Sequence, residues 1–464
     1  MRVCVVGGGI TGLSAAYRLV QRGADVTLYE GAQRPGGLLG TERFDGFVME
    51  TGPDSILSEK PWALALAEEL GLGAEIIRTE PGPRGAYIVH AGKLERVPEG
   101  FSLMAPTDFL AMARSPIVSL RGKLRMAAEP FLPRRDSTAD ESLESYVVRR
   151  LGRETFERLA QPLVSGIYGA EPSKLSLAAT MPRFLAMERE HGSVIRGLKA
   201  KKRDASQPGV DIESNTAGAR YGLFAAFRGG MQALIDALAR ALGERVQLGH
   251  MVTALARDPD GLSVEVKGAW HGYDAVLIAL PAHVAGQVLY GLNPPLAHKL
   301  FEIEYASAVT VTFGYTRADI AHPLDAYGFV VPALEGRRII ASTWASAKYA
   351  GRAPADKALI RVFIGGHKGQ HLMGESDASL TEIARRELSA LLGIERAPEW
   401  SRLVRYPRAM PQYHVGHLTR VAELEALVAR ESRLELAGNA YRGVGIPDAV
   451  RSAEQAVERL LGRS

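Results

Sequence analysis

The chain has 464 residues, enough for two or three domains at about 100–200 residues each. With 46% hydrophobic and 23% charged residues it suits ordinary buried cores and is neither disordered nor fibrous. One cysteine, Cys4, excludes a disulfide framework or a Cys-based metal cluster, and 56 basic against 52 acidic residues make no case for nucleic acid.

Val3-Cys4-Val5-Val6 is a continuous apolar run, as a buried parallel strand requires. It is too short for the ~7–15-residue core of a signal peptide. No later segment reaches roughly 18 uninterrupted apolar residues, so no spanning helix is predicted and a cytoplasmic location is expected. The strand runs into Gly7-Gly8-Gly9-Ile10-Thr11-Gly12, then a helical stretch from Leu13, then a second strand from Asp25 that ends at Glu30. Gly7 permits the tight turn, Gly9 lets the backbone approach a pyrophosphate, and Gly12 lets helix and strand pack closely. The helix N-terminus presents free N–H groups to phosphates, and Glu30 is placed to accept bonds from a ribose hydroxyl. Gly31, Arg34-Pro35-Gly36-Gly37-Leu38 and Gly52-Pro53-Asp54-Ser55 follow, an arginine for phosphate and glycines that let the chain pass flat beside a cofactor ring.

Further along, Phe227 to Met231 leads into a helix over Gln232 to Leu242. Val246 to Leu248, Val252 to Leu255 and Asp274 to Leu280 read as strands. Ala308 to Tyr315, Arg338 to Trp344 and Leu359 to Ile364 alternate as an antiparallel sheet, with a helix over Ser379 to Leu392. Leu434 to Ala440 is the last strand, and Pro447 and Asp448 suit the first turn of a terminal helix. Residues 101–205 read as helical and carry 18 Lys or Arg against 12 Asp or Glu. Two readings of this stretch stand: a face that lies on an anionic membrane, or a helical subdomain with solvated basic faces. Ser206 to Gly218 reads as a mobile surface loop.

The Arg-x-Gly-Gly directly after Glu30 resembles the flavoprotein group that holds amine oxidases, carotenoid desaturases and protoporphyrinogen oxidases. QPLVSGIYGAEPSKLS, PRAMPQYHVGH and LAGNAYRGVGIPDAVRSAEQA resemble the protoporphyrinogen and coproporphyrinogen III oxidase family more narrowly. The resemblance implies a chain of class α/β + α+β. A discontinuous Rossmann-type FAD-binding domain would take residues 1–80, 220–290 and 416–464. An antiparallel-sheet substrate domain would take 81–100 and 291–415, and the helical insertion 101–205.

FAD contacts then fall on Gly7 to Gly12, Glu30, Gly31, Arg34, Gly37, Leu38, Gly52 to Ser55, Val252, Asn439, Val444, Gly445 and Ile446. Cys4 lies on the first strand, so the FAD is expected to be non-covalent. Tyr327, Val330 and Phe363 are the implied substrate contacts, with core residues of the sheet as the alternative. The family's propionate-binding arginine has no match, its place falling at Ser102, and Arg96 or Lys93 stands in for it.

The reaction implied is oxidation of protoporphyrinogen IX in heme synthesis by three two-electron steps. Each delivers hydride from a bridge carbon to flavin N5, and molecular oxygen becomes hydrogen peroxide. No general acid or base is obligatory, and His414 and His417 are expected to be structural. Coproporphyrinogen III is the alternative substrate. An FAD amine oxidase and a flavin-binding scaffold without activity are more distant readings.

Overall fold

The structure is a computed structural model, and it describes residues 1–82, 85–205, 224–431 and 433–462. The loop expected over Ser206 to Gly218 lies outside the described residues. Val3, Cys4 and Val5 have no exposed surface, because Arg2–Val6 is the central strand of a parallel sheet. It pairs with Asp25–Glu30 on one side and Ala275–Ile278 on the other. Val246–Leu248 and Leu434–Leu436 form the two edges. The chain leaves the central strand in opposite directions, so a crevice opens at its carboxyl end, where such sheets bind ligands. Helices Ile10–Gln21, Gln232–Leu242 and Ile446–Gly462 bury one face through Leu13, Leu234 and Val450. Ala282–Leu289, Pro294–Phe301 and His417–Val428 bury the other through Leu289, Leu300 and Leu424.

A second sheet of seven strands stands over that crevice. Its order is Trp400–Pro411, Tyr305–Thr316, Lys357–Gly365, Ala341–Trp344, Gly328–Val330, Tyr87–His90 and Lys93–Arg96. It departs from the expected antiparallel pattern at one seam, where Gly328–Val330 runs parallel to Tyr87–His90. The Tyr87–Arg96 hairpin lies more than 200 residues before Gly328–Val330 in the chain, so no short turn dictates their relative direction. Ile360, Val362 and Ile364 point with Val309 and Val311 toward helix Asp377–Leu392. By alternation Leu359, Arg361 and Phe363, with Thr312 and Thr310 across from Arg361 and Phe363, point the other way, away from that helix.

The insertion packs Leu143, Tyr146, Val147 and Leu159 around a fully buried ion pair, Glu129 with Arg150. Among the described residues, no helix is long and apolar enough to cross a membrane.

Candidate cofactor and substrate site

The glycine turn after the first strand divides into glycines that the fold requires and one that it does not. A Cβ at Gly12 would lie 1.8 Å from the Gly7 carbonyl oxygen, and one at Gly7 would lie 2.6 Å from that of Ala279. At Gly9 a Cβ would meet nothing within 4 Å. Gly9 is also the N-cap of helix Ile10–Gln21 and no side chain caps it, so the first N–H groups of that helix face open space. An open cradle of this kind fits a pyrophosphate, held by backbone N–H groups at the positive end of the helix.

Glu30 closes one side of the cradle. Its carboxylate accepts from the Gly8 N–H at 2.6 Å and the Ala32 N–H at 2.7 Å, which leaves lone pairs for a ribose hydroxyl. Gly31 lies against Met251, and the His250 N–H donates to the Glu30 carbonyl at 2.9 Å, which brings Val252 alongside. Gly36 donates to the Gly8 carbonyl at 2.8 Å, and Gly37 lies against Gly9. Arg34 is exposed beside these glycines. Its guanidinium donates to the carbonyls of Leu39 at 2.9 Å and Gly37 at 3.0 Å and pins this loop.

Gly52 abuts Leu38 so closely that a Cβ would sit 1.8 Å from the Leu38 carbonyl oxygen, which joins the two halves of the predicted ring-facing surface. Pro53 is exposed, and Asp54 and Ser55 beside it are tied to Lys348, whose ammonium lies 3.1 Å from Asp54 Oδ1 and 2.7 Å from Ser55 Oγ. Burial would raise the Asp54 pKa, but Lys348, Ser55 and Arg361 outweigh it and hold the value at about 2.

Sequence reasoning missed the device that ties the roof to this loop. Arg361, 6% exposed, donates to the Gly52 carbonyl at 2.6 Å and to the Tyr406 hydroxyl at 3.2 Å, and Tyr406 in turn donates to the Thr51 carbonyl. A lone arginine inside Leu359-Ile360-Arg361-Val362-Phe363 was the available signal, since a charge in a buried strand needs a partner.

The third wall is the loop Asn439 to Ile446. Tyr413 holds it from below: its hydroxyl donates to the Asn439 carbonyl at 2.6 Å and accepts from the Gly443 N–H at 2.7 Å. His417 stacks on Tyr413 with ring centroids 3.9 Å apart, and its Nε2 lies 2.8 Å from the Tyr441 carbonyl. Val444 packs against the insertion, the Gly445 N–H approaches the Asp448 carboxylate at 3.4 Å, and Ile446 enters the core of the first face. Lys60, just past the strand Ile56–Leu57, pairs with Asp448 at 2.7 Å and ties this wall to the turn before helix Trp62–Glu69.

His417 is therefore a clamp. Burial lowers its pKa from the ordinary 6.5 to about 4, against the pull of the Tyr441 carbonyl. Below pH 6.5 the unfolded chain takes up a proton that the folded chain refuses, so stability falls as pH drops toward 4. The loss is about 3 kcal/mol over that window. Urea unfolding at pH 7 and pH 4.5 checks this: His417→Gln should show the smaller drop, and equal drops in both proteins contradict it.

The predicted substrate contacts do not share one surface. Phe363 and Val330 lie on the underside of the roof, Phe363 at 5.1 Å from the Arg361 guanidinium and Val330 against Gly166 of the insertion. Tyr327 instead donates its hydroxyl to the Glu80 carbonyl at 2.9 Å. Arg96 is not free for a propionate either, because its guanidinium pairs with Asp325. The cradle, the ring-facing glycines and the Asn439–Ile446 loop converge at the carboxyl ends of the parallel strands, and they fit FAD. The one cysteine, Cys4, is wholly buried in the central strand, and burial pushes its thiol well above its ordinary pKa, so no cysteine tethers the flavin.

Residues 10–461 match the model of the flavin containing amine oxidoreductases. Coproporphyrinogen III oxidase of Staphylococcus aureus is 32% identical over 99% of this chain and 98% of its own length. The chloroplastic protoporphyrinogen oxidase of Nicotiana tabacum is 28% identical over 99% of this chain and 85% of its own. A crystal structure from Exiguobacterium sp. 255-15, assigned provisionally to the protoporphyrinogen oxidases, superposes with a TM-score of 0.88. It shares 30% identity and covers 100% of this chain and 99% of its own. Putrescine oxidase, at 16% identity and a TM-score of 0.70, shares the fold. The chain is an FAD-dependent oxidoreductase, and it belongs to the flavin containing amine oxidoreductase family, in the branch of the coproporphyrinogen III and protoporphyrinogen oxidases.

Proposed function

We propose that this protein oxidises a porphyrinogen, with coproporphyrinogen III as its substrate and molecular oxygen as the acceptor. The observation that carries this reading is the near-full-length similarity to bacterial coproporphyrinogen III oxidases at 32% identity, against 28% for the Nicotiana tabacum protoporphyrinogen oxidase. Protoporphyrinogen IX, first in the sequence reading, is the second candidate substrate, supported by the similarity to the Nicotiana tabacum enzyme over 99% of this chain.

Bound FAD supplies the hydride acceptor for each of three two-electron steps, and each step turns one oxygen molecule into hydrogen peroxide. The chain's own residues orient and enclose. Arg361 and Tyr406 fix the Thr51–Gly52 turn under the roof, Tyr413 and His417 hold the opposite loop, and Phe363 and Val330 offer apolar surface to a macrocycle. Pyrrole N–H protons leave as the ring system becomes aromatic, so positioning and exclusion of water suffice and no side chain needs to act as acid or base. Porphyrinogens prepared without oxygen and then mixed with enzyme and air test the substrate. Faster growth of porphyrin fluorescence with coproporphyrinogen III supports the reading, and faster growth with protoporphyrinogen IX replaces it with the second.

We also propose peripheral contact with an anionic membrane at the cytoplasmic side. Leu110, Leu120, Leu124 and Phe131 are 62%, 73%, 64% and 83% exposed on neighbouring segments of the insertion, beside exposed Arg114 and Arg121. Lys123 and Arg125 do not join this surface, since they donate to the carbonyls of Ala113, Arg149 and Arg150. Replacing Leu120, Leu124 and Phe131 by serine should abolish cosedimentation with phosphatidylserine vesicles. Retained cosedimentation would place the contact elsewhere.

A further inference from the structure

Six non-glycine residues adopt a positive φ among the described residues: Asp45, Ala91, Leu103, Lys267, Leu324 and Arg408. Five sit in turns or loops, where that conformation is ordinary. Arg408, at φ 46°, alone lies inside a strand, Trp400–Pro411. There the pairing slips: Ala306 faces Met410 but Ala308 faces Tyr406, so the Arg408 strand bulges. The bulge is held in place by the Arg408 N–H, which donates to Ser307 Oγ at 3.0 Å. A bulge with a left-handed non-glycine residue re-aims one side chain, and such strain concentrates at functional sites.

The other two arginines of this strand have partners. Arg405 binds Asp377 and the carbonyls of Met373 and Glu375, and Arg402 lies 3.8 Å from Glu42. Arg408 is exposed, and among the described residues no carboxylate pairs with it. Its place is the junction of the three walls of the site. Tyr406, two residues before it, reaches the Thr51 carbonyl. Met410, two residues after it, covers Gly169 at the end of the insertion helix Gln161–Tyr168. Tyr413 then holds the Asn439–Gly443 loop. The Arg408 charge also bears on His283, just past the carboxyl end of the Ala275–Ile278 strand, and on Tyr305, whose ring meets that of His283 edge to face with centroids 4.8 Å apart.

We propose that Arg408 is the anchor for a propionate of the macrocycle at the mouth of the site. A guanidinium takes a carboxylate through two parallel N–H···O bonds, and an unpaired one has no competing partner to displace. This rests on the porphyrinogen reading and supplies the basic contact that neither Arg96 nor Ser102 provides.

The test uses the holoenzyme and a stable probe, coproporphyrin III, titrated by fluorescence beside its tetramethyl ester. Arg408→Asn keeps a residue that tolerates the left-handed backbone, and Arg408→Lys restores the charge. The asparagine variant should bind the free acid about tenfold more weakly, with the lysine variant recovering part of the loss and the ester unaffected. In turnover, KM should rise with kcat little changed. If Arg408→Asn binds the free acid as wild type does while wild type oxidises porphyrinogens, the anchor assignment fails and the proposed function stands. If wild type neither binds coproporphyrin III nor oxidises a porphyrinogen, both fall together.

Discussion

Gly9→Val should purify as a folded, colourless protein. Gly9 has φ −72° and ψ 177°, extended values that any residue adopts, and nothing lies within 4 Å of the added Cβ. The Cβ of the new side chain therefore introduces neither strain nor a clash in the protein alone. It fills the space where the pyrophosphate must approach the backbone, so FAD affinity should fall about 100-fold or more. Gly12→Ala makes the contrast, because its Cβ would sit 1.8 Å from the Gly7 carbonyl oxygen and must displace backbone. That variant should lose thermal stability as well as flavin. Flavin absorbance per protein, with the melting temperature measured after flavin is stripped, separates the two. Full flavin occupancy in Gly9→Val would remove the pyrophosphate from this turn.

Arg150→Ala should destabilise the helical insertion by about 3–5 kcal/mol. Both Arg150 and Glu129 have no exposed surface, and Arg150 Nε donates to Glu129 Oε1 at 2.7 Å. Removing the arginine leaves a buried carboxylate without its counter-charge. It also leaves the Pro133 and Gly192 carbonyls, both bonded to Arg150 at 3.0 Å, without donors. Ser193 Oγ and the N–H groups of Val194 and Ile195 still reach Glu129, which favours the lower end of that range. Glu129→Leu/Arg150→Met removes both charges at once and should recover much of the loss. Equilibrium urea unfolding measures each, and a single-variant loss below about 1 kcal/mol would show that the pair contributes little.

The parallel sheet and its cofactor turn were legible because their signals are local. Val3–Val6 is apolar without interruption, the glycines follow at fixed spacing, and Glu30 closes the next strand. The roof was legible in its long strands, since Val309 and Val311 or Ile360 and Val362 alternate with polar or functional positions. The parallel seam at Phe329–Tyr87 was not, because register between segments more than 200 residues apart leaves no mark in either one. The roles of Arg34 and Tyr413 were hidden for the same reason. Nothing in its own segment shows that the Arg34 guanidinium also donates to the Leu39 carbonyl and holds the loop. Tyr413 is only one tyrosine among 15 until its hydroxyl is seen to bridge Asn439 and Gly443. Val330 and Phe363 lie on strands of the sheet while Tyr327 falls just before the strand Gly328–Val330, a boundary that composition does not carry.

The central claim, that this flavoprotein draws electrons from a porphyrinogen, is tested most directly by a single turnover without oxygen. Holoenzyme is mixed anaerobically with excess coproporphyrinogen III, and flavin absorbance is followed, with putrescine and a simple aromatic amine in parallel. The account predicts prompt bleaching of the flavin by the porphyrinogen, none by either amine, and recovery of the colour with hydrogen peroxide when air is admitted. Flavin that bleaches with an amine and stays oxidised with both coproporphyrinogen III and protoporphyrinogen IX would contradict it.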